Sequence, residues 1–176
     1  MPEAAVAPTG RCFSFLAFDF GTRRVGVASG NTLLQRATPL KTIGVEGDAR
    51  FAAIAKLLAE WSPDALVVGV PFHPDGAEHE NTLKARRFAR QLQGRFHLPV
   101  HEVDERYTTT EALASAAGKG AIDADAAAAA IILEQHLRQL AAQARADMQA
   151  DMQAAMQAVT QPNTQGQTET VDEPGT

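Results

Sequence analysis

The chain predicts an α/β fold, a mixed five-stranded sheet flanked by helices, and three observations carry that expectation. Residues 13–29, FSFLAFDFGTRRVGVAS, read as an apolar strand, a polar turn at Gly21-Thr22-Arg23-Arg24 and a second apolar strand, the pattern of a hairpin. Residues 65–70, ALVVGV, form an unbroken apolar run, as expected of a strand covered on both faces. Two segments of helical periodicity lie where crossovers between parallel strands would have to run.

In chain order, residues 1–11 are expected to be a flexible arm, and the hairpin supplies strands one and two. Thr38, Leu40, Thr42 and Ile43 permit a third strand around residues 35–43, completing an antiparallel meander. Asp48 can cap a helix running to about Trp61, with Phe51, Ile54, Ala55, Leu57 and Leu58 facing inward. Ser62-Pro63-Asp64 breaks it. After the strand at 65–70, a polar loop from Pro71 to His79 leads to a helix from about Asn81 to Phe96. A fifth strand, Val100 to Val103, ends at Asp104-Glu105-Arg106. Thr108 and Glu111 have the spacing of a capping box, and Gly118-Lys119-Gly120 would end the short helix they start. Asp123 then caps a long alanine-rich helix. That helix can continue through ADMQADMQAAMQA, where Met148, Met152 and Met156 recur every fourth residue as a narrow stripe. The expected organisation is therefore a folded domain over residues 12–145, a helical extension over 146–160 and a disordered tail over 161–176, where Pro, Thr, Gln, Gly and Glu dominate.

Composition narrows the function classes. Of the formal net charge of −5, all comes from the C-terminal end: five acidic and no basic residues follow Arg145 and Ala146, and the preceding residues balance at 16 of each sign. The domain itself is thus not too acidic for a polyanionic partner. Cys12 is the only cysteine, which excludes an intrachain disulfide framework and suits a reducing compartment. The first ten residues lack the basic start and apolar core of a signal peptide, and no apolar run is long enough to span a bilayer. A cytoplasmic protein with no membrane association is the expectation.

Three acids fall at element ends: Asp19 at strand one, Glu105 after strand five and Asp125 in the first turn of the long helix. The carboxyl ends of adjacent strands one, four and five would lie together. Asp125 is preferred to Asp123 because it extends the stripe of Ala129, Ile132, Leu133, His136 or Leu137, and Leu140. Asp123 falls instead with Ala127, Glu134 and Arg138, which read as solvated. Two carboxylates about 4 Å apart repel by about 4 kcal/mol at an effective dielectric near 20, so protons or a divalent cation must offset them. Oxygen-only ligation suits Mg²⁺ or Mn²⁺ rather than zinc, and acids clustered about such ions form a phosphodiester-cleaving arrangement. A plainer reading of Asp19 is an ion pair with Arg23 or Arg24 across its own turn.

The second helix carries Lys84, Arg86, Arg87, Arg90 and Arg95 against one acid, Glu80. With Arg23, Arg24 and Arg106 near the acids, a phosphate-backbone surface of Arg23, Arg24, Lys84, Arg86, Arg87, Arg90 and Arg106 reads better than a merely solvated face. Other signals are weak. Asp19-Phe20-Gly21 spells a kinase motif without its companions. The histidines at 73, 79, 97, 101 and 136 lack zinc spacing, and His73 and His79 read as exposed loop residues beside Pro74-Asp75-Gly76.

Four blocks in this order, LAFDFGTRRVGVA, VVGVPFHPDGAEHENTLKARRFARQL, DERYTT and DAAAAAIILEQHL, resemble the YqgF-type pre-16S rRNA nuclease family, also described as Holliday-junction-resolvase-like. The resemblance covers about residues 13–140. It implies a ribonuclease H-like fold, a bacterial cytoplasmic protein, and metal-dependent cleavage in 5′-end maturation of 16S rRNA. The partner it implies is precursor rRNA on the pre-ribosome. The family's acids fall on Asp19, Glu105 and Asp125. The stretch ALASAAGKGAIDA is shorter and less basic than the family's usual loop, holding only Lys119. Two other readings remain open, a Holliday-junction-type DNA resolvase and a non-catalytic RNA-binding ribosome-assembly module. An actin-like ATPase, which shares the Asp-x-Gly-Thr hairpin, would need a second such domain.

Overall fold

The computed structural model describes residues 11–107 and 123–160. Strand β1 (Ser14–Phe20) is followed by β2 (Val25–Asn31), β3 (Ala37–Ile43), helix α1 (Gly47–Trp61), β4 (Ala65–Val70), helix α2 (Glu80–Phe96), β5 (Val100–Asp104), a 3₁₀ turn (Glu105–Tyr107) and helix α3 (Ala124–Thr160). The sheet order is β3-β2-β1-β4-β5, with β1, β2 and β3 antiparallel and β4 and β5 added parallel to β1. This is the mixed five-stranded sheet expected. The short helix expected from Thr108 and Glu111, its Gly118-Lys119-Gly120 stop, residues 1–10 of the arm and the 161–176 tail lie outside the described residues.

Alternation along β1 divides the core into two layers. Leu16 and Phe18 pack with Val25, Val27, Leu66 and Val68 against Phe51, Ile54 and Leu57 of α1 and Phe88 and Leu92 of α2. Phe15 and Ala17 face the other way, with Ala65, Val67 and Val103, against Ile132, Leu133 and Leu137 of α3. β4 is buried on both faces, which explains its unbroken apolar run.

Several local expectations are corrected. Asp48 does not cap α1. The chain enters the helix through Gly47 at φ 61°, Glu46 takes the cap position without a side-chain hydrogen bond, and Asp48 falls inside the first turn, where its charge favours the helix dipole. Ala55 is exposed and Arg50 is buried, because the helical period turns Ala55 off the Ile54–Leu57 direction and puts Arg50 near it. His79 is not a loop residue. It caps α2, its Nδ1 accepting from Asn81 N at 3.2 Å while Thr82 Oγ1 accepts from His79 N at 3.1 Å. Ala127 is buried rather than solvated, since α3 offers a wide alanine face to the small-residue side of β2, where Ala28 meets Ala129 and Ala130.

The chain divides into two compact units, residues 1–141 and 142–176. In the second, Met148, Met152 and Met156 are 61%, 60% and 66% exposed, so the stripe contributes no core.

On the α3 layer, His101 and His136 stack with ring centroids 5.0 Å apart, and Phe15 meets His136 edge-on at 5.3 Å. His136 is buried and its Nε2 has no hydrogen-bond partner. Burial, then the neighbouring His101, lowers its pKa to about 4. The unfolded chain therefore binds a proton that the folded protein refuses between about pH 6.5 and 4, and this group's contribution to stability falls as pH falls through that window, by up to about 3 kcal/mol. We expect His136→Leu to remove that contribution, so that the variant gains on the parent protein between pH 7 and pH 4.5 in chemical denaturation. An unchanged difference at the two pH values would show that His136 is not held neutral.

Candidate active site

Asp19 is the next-to-last residue of β1, the central strand, and its side chain points to the α3 layer with Ala17. Its partner on β2 is Gly26 and its partner on β4 is Gly69. Both neighbours thus lack a side chain, and each gap is filled by another acid. A Cβ at Gly69 would lie 2.5 Å from Glu105 Oε1 and 2.4 Å from Ile132 Cδ1; one at Gly26 would lie 1.8 Å from the backbone oxygen of Asp125. β5 runs parallel to β4, and the 3₁₀ turn that follows carries the Glu105 carboxyl back over Gly69. Asp123 Oδ1 accepts from Asp125 N at 3.2 Å, as a cap should, and leaves Asp125 on the first turn against β2. The preference for Asp125 over Asp123 therefore matches the geometry.

The electrostatics follow from this crowding. Asp19 and Glu105 share a hydrogen bond that favours charge on Asp19 and the proton on Glu105. Desolvation first, and then the charge of Asp125, raise Asp19 to about 6. Desolvation and the charge of Asp19 raise Glu105 to about 7. The ion pair across the hairpin turn exists, but not with Asp19: Arg24 Nε lies 3.2 Å from Asp125 Oδ2. Arg23 is exposed and has no partner among the described residues. With Asp125 drawn to Arg24, no three His, Cys, Asp or Glu side chains among the described residues are placed to hold a metal ion together. The donor chemistry nevertheless fits a hard cation, since the converging atoms are all carboxylate oxygens.

The remaining basic residues do not form one surface. Arg106 binds Asp104 at 2.6 Å, next to Glu105, and its guanidinium lies over Phe72 at 5.4 Å. Arg86 also lies over the Phe72 ring, at 5.3 Å, and pairs with Glu78 and Glu102. Lys84 pairs with Glu80 at 2.8 Å. Lys84 and Arg87 line a cavity between α1 and α2, on the sheet face opposite the acids, and Arg90 is exposed on the same helix. Arg24 is paired with Asp125 of the acid set, and Arg106 adjoins Glu105 in the chain. Sequence reasoning missed the reason α2 differs: crossover helices to either side of one strand pack on one face, and α3 takes the other. It also missed Gly26 and Gly69. Their signal was present, a glycine inside each of two otherwise β-branched or alanine strands, VGVAS and LVVGV.

A sheet in this order, with a carboxylate on its central strand and two more brought to it from the fifth strand's end and the last helix, defines a ribonuclease H-like domain. Residues 13–139 match the model of the RuvX family, described as "Holliday junction resolvase". A relative from Albidiferax ferrireducens, described as "Putative pre-16S rRNA nuclease", is 72% identical over 127 residues, covering 72% of this chain and 79% of its own. Another of the same description, from a Polaromonas species, is 65% identical over 127 residues, covering 72% of this chain and 89% of its own. Among solved structures, T. thermophilus RuvC in complex with Holliday junction substrate aligns with a TM-score of 0.46 at 16% identity, over 68% of this chain and 91% of that one. The chain belongs to the RuvX family.

Two outcomes test this geometry. Gly26→Ala forces a methyl group into the backbone of α3 and should cost about 3 kcal/mol in chemical denaturation, against near-neutrality if α3 does not seat on β2. The acid pair gives a pH signature. Because Asp19 and Glu105 hold protons that the unfolded chain has released, stability falls as pH rises from about 4 to 7. In metal-free buffer, Asp19→Asn should therefore gain on the order of 2 kcal/mol over the parent protein between pH 4 and pH 8. No such gain would mean that the two carboxyls do not repel.

Proposed function

We propose that this protein is a metal-dependent nuclease that acts in the cytoplasm on the 5′ end of precursor 16S rRNA, on the pre-ribosome. The observation that carries the reading is the hydrogen-bonded Asp19–Glu105 carboxyl pair, with the charge of Asp125 near enough to raise Asp19. The descriptions of the relatives support the substrate class. Asp19, Glu105 and Asp125 would hold Mg²⁺ or Mn²⁺, which supplies a more acidic bound water and stabilises charge on the leaving oxygen.

The chain's own residues set the conditions. Burial and neighbouring charge push both Asp19 and Glu105 toward their protonated forms, so the site becomes a full oxygen-donor set only once their protons leave. Arg24 holds Asp125 until a competing positive charge or a phosphate draws the two apart. Arg23 and Arg106 flank the acids and contact backbone phosphates, where a guanidinium can bind two oxygens at once. Arg86 shares the Phe72 ring with Arg106 and extends this positive edge toward α2, where Arg90 contacts only a strand that wraps the domain.

The family description favours a second reading, cleavage of four-way DNA junctions. Phosphate contacts do not distinguish the two, because they carry no base information. The test is cleavage of a 5′-extended 16S precursor and of a synthetic four-way junction, each with Mg²⁺ or Mn²⁺. We expect precursor rRNA to be the better substrate. Asp19→Asn and Glu105→Gln should each lower its cleavage by roughly 100-fold or more, the rate equivalent of several kcal/mol. Faster junction cleavage would favour the resolvase. No metal-dependent cleavage of either would leave an RNA-binding assembly module.

A further inference from the structure

On the sheet face opposite the three acids, a cavity of about 240 Å³ opens between the N-terminal halves of α1 and α2. Phe20, Phe51 and Phe88 form its apolar wall, with Phe20 and Phe88 centroids 4.9 Å apart. Arg50, Lys84 and Arg87 bring positive charge to it, Lys84 while also paired with Glu80, and the Gln91 amide adds a neutral donor and acceptor; no carboxylate is among the lining residues. Arg50 is the unusual member. It is only 6% exposed, and its guanidinium is held by backbone alone, Nε donating to Val45 O and Nη2 to Thr22 O, each at 3.0 Å. Its Nη1 has no hydrogen-bond partner among the described residues. Burial pushes the Arg50 pKa down and the nearby charge of Glu46 opposes that only in part, so an anion entering the cavity would offset the remaining cost of burying this cation. Arg87 has no ion pair among the described residues either.

We propose that this cavity binds a nucleoside monophosphate, its phosphate on Arg50, Lys84 and Arg87 and its base against Phe20 near the Gln91 amide. The volume is below the roughly 300 Å³ at which pockets for drug-sized molecules begin, so it takes one nucleotide and not several. That nucleotide is either free or one residue of an RNA strand; the chemistry is the same. Binding here does not depend on the carboxylate centre, although Phe20 adjoins Asp19 in β1.

The experiment is a titration of the full ¹⁵N-labelled chain, without divalent cation, followed by amide chemical shifts. AMP should move amides in residues 47–51 and 84–91 saturably at millimolar concentration or below. Adenosine and inorganic phosphate should each bind far more weakly. Arg87→Ala should weaken AMP by roughly tenfold or more, and Asp19→Asn should leave it unchanged, which separates this site from the cleavage reading. If a short oligoribonucleotide gives the same shifts and AMP displaces it, the occupant is a residue of the strand. If only AMP does, it is the free nucleotide. The proposal fails if neither produces saturable shifts in those segments, if Arg87→Ala changes nothing, or if inorganic phosphate binds as tightly as AMP.

Discussion

A carboxylate on the central strand of a sheet has neighbours on both sides, and Asp19 is usable only because both are glycine. Gly26 lets the first turn of α3 rest on β2, with a notional Cβ only 1.8 Å from the Asp125 backbone oxygen, and Gly69 leaves the space that the Glu105 carboxyl occupies. Any side chain at either position would fill the volume in which the acids meet. Interiors are close-packed, so that volume must be left open in the backbone from the start rather than made later by side-chain movement. The approach of the Glu105 carboxyl to Asp19, and of the first turn of α3 to β2, thus follows from two absent side chains.

That approach has an electrostatic cost which the fold tolerates rather than removes. Asp19 is pushed toward its protonated form by desolvation and the charge of Asp125, and Glu105 by desolvation and the charge of Asp19, whereas His136, on the same layer, is pushed toward its neutral form by burial and His101. The two effects act in overlapping pH ranges with opposite sign. The acids destabilise the folded state as pH rises and the histidine destabilises it as pH falls, so the net pH dependence of the domain is flatter than either group alone would make it. Arg24 relieves part of the negative charge by pairing with Asp125, at the edge of the site where water screens the pair.

The two faces of the sheet divide the labour. The α3 face carries small residues and the acids. The α1–α2 face carries the larger aromatic core and the basic side chains of α2, with Arg50 and Arg87 at the cavity. A run of arginines on one helix does not form one surface when some are committed: Arg86 is tied to Glu78 and Glu102 and rests on Phe72, while Arg90, one turn on, is exposed.

Local pattern determined much of this protein by itself. The hairpin, the doubly buried strand, the helix-ending Ser62-Pro63 and the inward side of the last helix are all written in short-range periodicity, because burial on one face or both imposes it directly. The position of Asp19, Glu105 and Asp125 at element ends was legible for the same reason: each sits where an apolar pattern stops or starts. Tertiary structure alone decided what periodicity cannot encode, namely the register at which neighbouring strands pair. Register made Gly26 and Gly69 the neighbours of Asp19, gave Arg24 to Asp125 instead of Asp19, and set α2 on the face away from the acids. It also buried Arg50 and turned His79 into a cap. Such pairings join residues distant in sequence, and they are fixed by the simultaneous packing of both sheet faces rather than by any local preference of the chain.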